Sequence, residues 1–320
     1  MQAAILLGGS NSRLERVSLP AIGPKEVLVR LEGTGVCASN LPAWEGRPWF
    51  DYPLDPGAPG HEGWGTVEAV GQEVTTVGLG TRVALVSSQA FAEYDVTDER
   101  ALVPVPSALD GMPIPGEPLA CAVNAHGRAA ITPGSWVVII GIGFLGAVLT
   151  RLATLQGGRV IAVSRRAFAR TLAQRFGAEA SVSFDDPMQS FGEIHARLGD
   201  ALAPVVIEAV GTQAALDLAT RVAGTRGRLV IAGYHQDGPR AVDLQQWNWK
   251  GLDVINAHER QLERYTAGMR TGIELLADGS LDLASLLSAP IPLSQLDEAF
   301  RLAIERPDGF VKAIVDLRTR

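Results

Sequence analysis

The sequence predicts an α/β protein in which a doubly wound parallel sheet of six strands is inserted in a β-rich domain. Three observations carry this. The stretch Ser135–Leu149 runs from a short apolar segment through Gly141-Ile-Gly143-Phe-Leu-Gly146 into a helix-compatible segment. From about residue 123, strand-like runs recur with helical spacing between them, whereas residues 1–122 hold short runs broken by Gly and Pro. After about residue 257 the alternation stops, and two amphipathic segments and a strand-like run follow.

The totals set bounds. The 320 residues leave room for about two domains. With 47% apolar and 20% charged residues, the chain has the composition of a globular protein. A net charge of −7 argues against non-specific nucleic-acid binding. No apolar stretch is long enough to span a membrane. The N-terminal apolar run has no charged region before it and reads as a first strand, not a signal peptide. Two cysteines, Cys37 and Cys121, give no disulfide framework and suit a reducing cytoplasm.

In chain order, Glu26–Leu31, Gly65–Val70 and Arg82–Val86 read as strands of a barrel-like or sandwich-like domain. Strands then follow at Trp136–Ile140, Val160–Val163, Ala180–Phe184, Val205–Ala209, Arg228–Ala232 and Leu252–Asn256, with helices at Phe168–Phe176 and Gln213–Val222. That rhythm is the mark of a doubly wound sheet. Tyr265–Ala277 and Leu293–Glu305 read as amphipathic helices and Phe310–Asp316 as a strand. A lone helix–helix–strand unit cannot bury its apolar faces, so this tail is expected to return to the first domain. The expected domains are 1–122 with 257–320, and 123–256.

Trp136–Ile140 is rich in β-branched residues, as a strand buried on both faces requires. A strand, a G-x-G-x-x-G turn and a helix make a dinucleotide-binding element. Gly141 permits the tight turn, Gly143 lets the backbone approach a pyrophosphate, and Gly146 lets helix and strand pack closely. Phe144 and Leu145 open the helix, whose first amides supply an anion site. The alternative is a purely structural turn.

A site preferring NAD places an acidic residue at the end of the second strand. Here that strand ends in Ser164-Arg165-Arg166. A hydroxyl and two guanidinium groups suit the 2′-phosphate of NADP, with NAD the less favoured coenzyme. The alternative is that the arginines begin a solvated helix. Val210-Gly211 and Gly233-Tyr234 end the fourth and fifth strands and are expected to face the coenzyme. His235 reads as a solvent-exposed loop histidine, the alternative being that it reaches the nicotinamide side, and His126, His195 and His258 read as structural or surface residues.

The first domain holds two unusual clusters, Gly35-Val-Cys37-Ala-Ser39-Asn40 and Gly60-His61-Glu62-Gly63, and a third candidate, Glu117, in Gly116-Glu-Pro-Leu-Ala-Cys121. Cysteine, histidine and carboxylate form a zinc ligand set that leaves a position open for water or substrate. Spacing does not establish that they converge. The alternative is a buried thiol, a satisfied histidine and a surface glutamate. Trp44, Trp49, Phe50 and Tyr52 lie between the clusters and are expected to line an apolar pocket, the alternative being that they cover the barrel.

The order of these motifs resembles the medium-chain dehydrogenase/reductase superfamily, in its zinc-dependent alcohol and polyol dehydrogenase branch. Gly35–Asn40 matches the first family motif except at its last position, and Gly60–Val67 matches the Gly-His-Glu-x-x-Gly-x-Val motif in full. Glu117–Leu119 is similar to the Glu-Pro-Leu segment of sorbitol dehydrogenase-like members, and Gly141–Gly146 matches the coenzyme turn. The resemblance runs from residue 2 to the C-terminal strand. It implies a β-rich, GroES-like catalytic domain split around an inserted Rossmann coenzyme domain.

The resemblance also implies roles. Cys37 and His61 are zinc ligands, Glu117 holds the third-ligand position, and Glu62 is a carboxylate that binds zinc directly or exchanges with water. Ser39 hydrogen-bonds the substrate hydroxyl and passes its proton on. Cys121 falls near the nicotinamide, or is a buried helix thiol. The implied reaction is hydride transfer between NADP(H) and a small-molecule secondary alcohol, polyol or ketone, and a homodimer or homotetramer is the implied assembly.

Three departures from the family pattern stand out. Asn40 replaces an aspartate that accepts a hydrogen bond from a ligand histidine; asparagine still accepts the bond but carries no charge. Pro42 stands where many members have a relay histidine. The lobe of four closely spaced cysteines that binds structural zinc is missing between Val86 and Tyr94. Two other readings remain open: a zinc-free NADPH reductase of quinones or enones, against which the retained Cys37, His61 and Glu117 argue, and a non-catalytic cofactor-binding homologue, which the changes at Asn40 and Pro42 keep in view. Elemental analysis is expected to give about one zinc per chain; a ratio near zero refutes the zinc chemistry and one near two refutes the missing lobe.

Overall fold

The computed structural model describes residues 1–318, and its elements follow the apolar runs of the sequence. The chain divides into two compact units, Met1–Ala120 with the chain from Arg260 onward, and Cys121–Glu259. The first begins with β1 (Gln2–Gly8), β2 (Asn11–Arg16), β3 (Glu26–Gly35), α1 (Leu41–Glu45), β4 (Glu62–Val70), β5 (Arg82–Leu85), β6 (Tyr94–Asp98) and β7 (Leu102–Pro104), and α2 (Gly116–Ala129) carries the chain into the second. There, β8 (Trp136–Ile140), α3 (Phe144–Leu155), β9 (Arg159–Val163), α4 (Ala167–Arg175), β10 (Ala180–Val182) and α5 (Pro187–Leu198) are followed by β11 (Ala203–Glu208), α6 (Gln213–Val222), β12 (Ala223–Ile231), α7 (Leu244–Lys250) and β13 (Asp253–Asn256). The tail adds α8 (Leu262–Ala277), β14 (Leu287–Pro292), α9 (Leu296–Glu305) and β15 (Lys312–Asp316) to the first unit.

The second unit is the parallel sheet that the alternation predicts, in the order β10-β9-β8-β11-β12-β13. The order reverses at β8, so the crevice for a ligand lies at the carboxyl ends of β8 and β11. Val137–Ile140 and Val160–Val163 are fully buried, as strands covered on both faces must be. At Gly146 an added Cβ would overlap the Gly141 carbonyl, so only glycine lets α3 pack this closely on the turn.

In the first unit β3 is the organising strand of a seven-stranded sheet. β4 pairs along one edge, while β6 takes Glu26–Arg30 and β15 takes Gly33–Gly35 along the other. The tail therefore returns by antiparallel pairing of β15 with β3, and β14 adds beside it in parallel. The core below contains Phe300, fully buried on α9, stacked on Trp44 at 5.2 Å and edge-on to Phe91 at 5.6 Å.

The structure also differs from the sequence reading. α5 was not expected; it starts at Pro187, with the Asp186 carboxylate accepting from the Met188 and Gln189 amides at 2.8 and 3.3 Å. β10 ends at Val182 instead of Phe184, and the Ser183 carbonyl accepts from the Ser190 hydroxyl at 2.6 Å. The segment 293–305 splits into a 3₁₀ turn over Leu293–Gln295 and then α9. α7 buries no residue and so shows no apolar stripe in sequence. After β5, the Ser87 hydroxyl and the Gln89 amide donate to the buried Asp95 carboxylate of β6, which also accepts from the Val96 amide. No helix among the described residues is long and apolar enough to cross a membrane.

Phe300→Ala is expected to lower unfolding stability by about 3–5 kcal/mol, since the cavity removes contacts to both aromatic neighbours. Urea unfolding measures it, and a loss under about 1 kcal/mol would place Phe300 outside the core.

Candidate metal centre and coenzyme turns

Strand register explains how residues distant in sequence meet. Gly35 at the end of β3 lies opposite Glu62 at the start of β4 and opposite Ile314 of β15. Cys37, two residues past β3, therefore stands beside His61 and Glu62, and Lys312 at the start of β15 arrives at the same sheet end. Ligand atoms of Cys37, His61 and Glu62 lie within 4.8 Å of one another. A thiol, an imidazole and a carboxylate are a donor set that fits zinc. Glu117 sits in the first turn of α2, outside that group, and its charge acts on His61.

The two carboxylates have different partners. Glu62 is fully buried, and the Lys312 ammonium donates to both its oxygens at 2.7 Å. Burial opposes the ammonium, but the Glu62 and Cys37 charges hold the Lys312 pKa above its usual value. Glu117 instead accepts from the Tyr265 hydroxyl through Oε1. Burial pushes the Glu117 carboxyl up, with Glu62 acting the same way and His61, Tyr265 and Lys312 opposing.

Burial also disfavours the His61 imidazolium. The hydrogen bond and charge of Cys37, with Glu117 and Glu62, outweigh it, and the pKa is pushed up to about 10. A metal ion at this cluster competes with that proton.

Asn40 does not take the role expected of it. Its Oδ1 accepts from the Cys37 amide at 3.2 Å and its Nδ2 donates to the Pro59 carbonyl at 2.9 Å. Both contacts fix the amide in this sense, since the flipped amide would oppose donor to donor and oxygen to oxygen. His61 Nδ1 then donates to the Pro59 carbonyl at 2.9 Å, leaving Nε2 for Cys37 or a metal. The Ser39 hydroxyl is half-buried, with no hydrogen-bond partner among the described residues. Pro42 occupies the first turn of α1, where its fixed φ and missing N–H favour the helix start.

The aromatic segment separates. Trp44 is 3% exposed, stacked on Phe300, with its indole N–H on Asp297 at 2.7 Å. It belongs to the barrel core and not to a pocket wall, because both its ring face and its polar tip are already engaged. Phe50 packs against the same core from its edge, and Trp49 is 58% exposed.

In the second unit, Gly143 caps α3 without a side chain, and Phe144 and Leu145 begin the helix. The first-turn amides thus meet no side-chain cap. Ser164 is buried at the end of β9, Arg165 is exposed, and Arg166 is the N-cap of α4. Arg170 braces this turn, with its guanidinium on the Ser164 and Arg165 carbonyls at 2.8 Å. Val210 and Tyr234 project into solvent at the ends of β11 and β12.

His235 is not a free loop residue. It is half-buried, 3.1 Å from the Glu208 carboxylate, because Glu208 reaches from the fully buried end of β11. His195 is half-buried beside Asp200, and His126 Nε2 is buried without a hydrogen-bond partner among the described residues. Lys312, Tyr265, Arg170, Glu208 and Arg240 are site residues that the sequence reading missed. Lys312 and Glu208 left a signal, each a charged residue inside an apolar strand run. Tyr265 left none, being one of many residues on an amphipathic helix.

Known proteins agree with this architecture. Residues 23–107 match the family described as alcohol dehydrogenase GroES-like domain, and residues 145–276 match the zinc-binding dehydrogenase family. Sorbitol dehydrogenase of Gallus gallus is 26% identical over 337 residues, covering 93% of this chain and 92% of its own. Alcohol dehydrogenase of Moraxella sp. (strain TAE123) is 31% identical over 266 residues, covering 72% and 70%. A protein of Sinorhizobium meliloti 1021 crystallised bound to NADP superposes with a TM-score of 0.83 at 26% identity, over 98% of both chains.

Lys312→Met leaves the Glu62 carboxylate buried without its cation and is expected to cost about 3–5 kcal/mol in urea unfolding, whereas Glu62→Gln/Lys312→Met, with neither charge, recovers most of it. A single variant as stable as the parent refutes the buried pair.

Proposed function

The chain belongs to the zinc-type medium-chain dehydrogenase/reductase superfamily, and from that premise we propose that it is a zinc-dependent oxidoreductase transferring hydride between NADP(H) and a secondary alcohol, polyol or ketone. The observation that carries this is the convergence of Cys37, His61 and Glu62 at one sheet end. Cys37, His61 and Glu117 would hold the metal. Glu62 is the less suited third ligand, since Lys312 engages both its oxygens.

Bound there, zinc would supply Lewis acidity toward the substrate oxygen, and a nicotinamide coenzyme would supply the hydride chemistry. The protein's own groups do the rest. Ser39 Oγ would accept a hydrogen bond from the substrate hydroxyl and release its own hydrogen to water as the substrate's proton arrives. Pro59 fixes the His61 tautomer through Nδ1, and Tyr265 orients Glu117 through Oε1. Ser164, Arg165 and Arg166 bind the 2′-phosphate, the Gly141–Gly146 turn and the first amides of α3 bind the pyrophosphate, and Val210, Gly211, Gly233 and Tyr234 receive the nicotinamide half. Trp49 and Phe50 remain the candidates for the apolar substrate wall. The proposed assembly is a homodimer or homotetramer, which the place of β13 at the sheet edge favours. The proposed location is the cytoplasm, which two cysteines outside any disulfide suit.

Reduction of a ketone panel, followed at the reduced-nicotinamide band, tests the reaction. kcat/KM is expected to be higher with NADPH than with NADH, and Arg165→Ala/Arg166→Ala is expected to raise the KM for NADPH roughly 10–100-fold, the worth of charge-assisted bonds to a phosphate, while leaving that for NADH nearly unchanged. Equal or better efficiency with NADH overturns the coenzyme assignment, and no turnover with any ketone or alcohol overturns the reaction.

A further inference from the structure

Glu208 joins the two strand-end turns of the coenzyme unit. Its main-chain carbonyl accepts from the Ala232 and Gly233 amides at 2.8 Å. Its side chain, with no exposure at all, turns toward the other loop, where Oε1 accepts from the Val210 and Gly211 amides at 2.7 and 2.8 Å. The turns lie so close that a Cβ on Gly233 would stand 2.7 Å from Glu208 Oε2 and 2.9 Å from the Gly211 Cα. Oε2 has one further partner, His235 Nε2 at 3.1 Å.

The other imidazole nitrogen settles the protonation pattern. Arg240 Nε lies 2.9 Å from His235 Nδ1, and a guanidinium only donates. Nδ1 is therefore the acceptor, and Nε2 carries the hydrogen that goes to Glu208. Arg240 in turn grips the Gly211 carbonyl through Nη2 at 2.8 Å, and is itself held by the Asp237 carboxylate and the Gly238 carbonyl. The Val210–Gly211 turn is thus clamped from two directions, its amides by Glu208 and its far carbonyl by Arg240. His235 is the piece that couples the clamps. The His235 and Arg240 side chains are only 16% and 14% exposed, so water does not readily replace these bonds.

We propose that His235 is a positioning residue of the coenzyme site, which as the neutral Nε2–H imidazole links Glu208 to Arg240 and thereby fixes the turns that receive the nicotinamide half of the nucleotide. This rests on the dehydrogenase reading above. It adds a residue that touches no reacting atom and acts through the backbone of Val210 and Gly211.

Direct binding tests it, without turnover. NADPH and NADH fluorescence titrations, on the full-length protein, are paired with competition by adenosine 2′,5′-bisphosphate, which lacks the nicotinamide half and reports only the Ser164–Arg166 end. His235→Leu removes both bonds and is expected to weaken binding of the reduced dinucleotide about tenfold or more, the effect of leaving a buried charged partner unsatisfied. Its affinity for the bisphosphate stays within about twofold of the parent. His235→Gln, whose Oε1 accepts from Arg240 and whose Nε2 donates to Glu208, restores most of the dinucleotide affinity. Unchanged dinucleotide binding in His235→Leu overturns the proposal. An equal loss of dinucleotide and bisphosphate also overturns it, marking a residue that merely supports the fold. A parent protein that binds neither dinucleotide instead overturns the dehydrogenase reading, and this proposal with it.

Discussion

The ion pair between Lys312 and Glu62 is the constraint on which the rest of the candidate metal site depends. The two residues are 250 positions apart, and both are out of water. A pair so buried adds little net stability over an apolar pair of the same volume, but removing one partner is costly. Glu62 lies on β4 and Lys312 on β15, so the pair forms with β15 in its observed register on β3. In that register Glu62 is neutralised in place beside Cys37 and His61. The cluster can then present a thiol, an imidazole and a nearby second carboxylate to a cation without the like-charge repulsion of two free carboxylates.

A second consequence concerns the division of labour between the two glutamates. Both are buried near the same histidine, and sequence position alone gives no reason to prefer either. Their partners differ in kind. A lysine neutralises Glu62 through both oxygens, while a phenol donor engages Glu117 through one. The first arrangement stores a charge inside the sheet, and the second orients a carboxylate through a neutral donor. The coenzyme unit follows similar logic, since Glu208 spends its oxygens on backbone amides and a neutral imidazole, and so becomes a scaffold for two turns.

The fold was largely legible because its signals are local. The apolar runs of β8, β9 and β11, and the glycine turn after β8, announce a parallel sheet in a few residues each. Cys37 and His61 were legible as candidates by residue type and motif, but their meeting is a property of register, written in the pairing of Gly35 with Glu62. Tyr265 and Arg240 were illegible, because nothing in a helix stripe or a polar loop marks which hydroxyl or guanidinium turns inward. Trp44 misled for a related reason. An aromatic residue beside a ligand motif suits a pocket wall or a core equally, and Phe300, far along the chain, decides for the core. His235 reads as a loop residue until the buried carboxylate of Glu208 gives it a partner.

The order in which a ribosome delivers these pieces has its own consequence. Cys37, His61 and Glu62 emerge early, together with β3, whose edge over Gly33–Gly35 waits for β15. Until that strand appears, a growing chain carries an open sheet edge and an acidic side chain with no counterion, both invitations to mispairing. The intervening α/β unit, whose sheet uses only strands between residues 136 and 256, can complete itself during that interval. The candidate site is thus completed last although Cys37, His61, Glu62 and Glu117 are made first, and interrupted synthesis would yield a finished α/β unit and an unfinished Cys37–His61–Glu62 cluster.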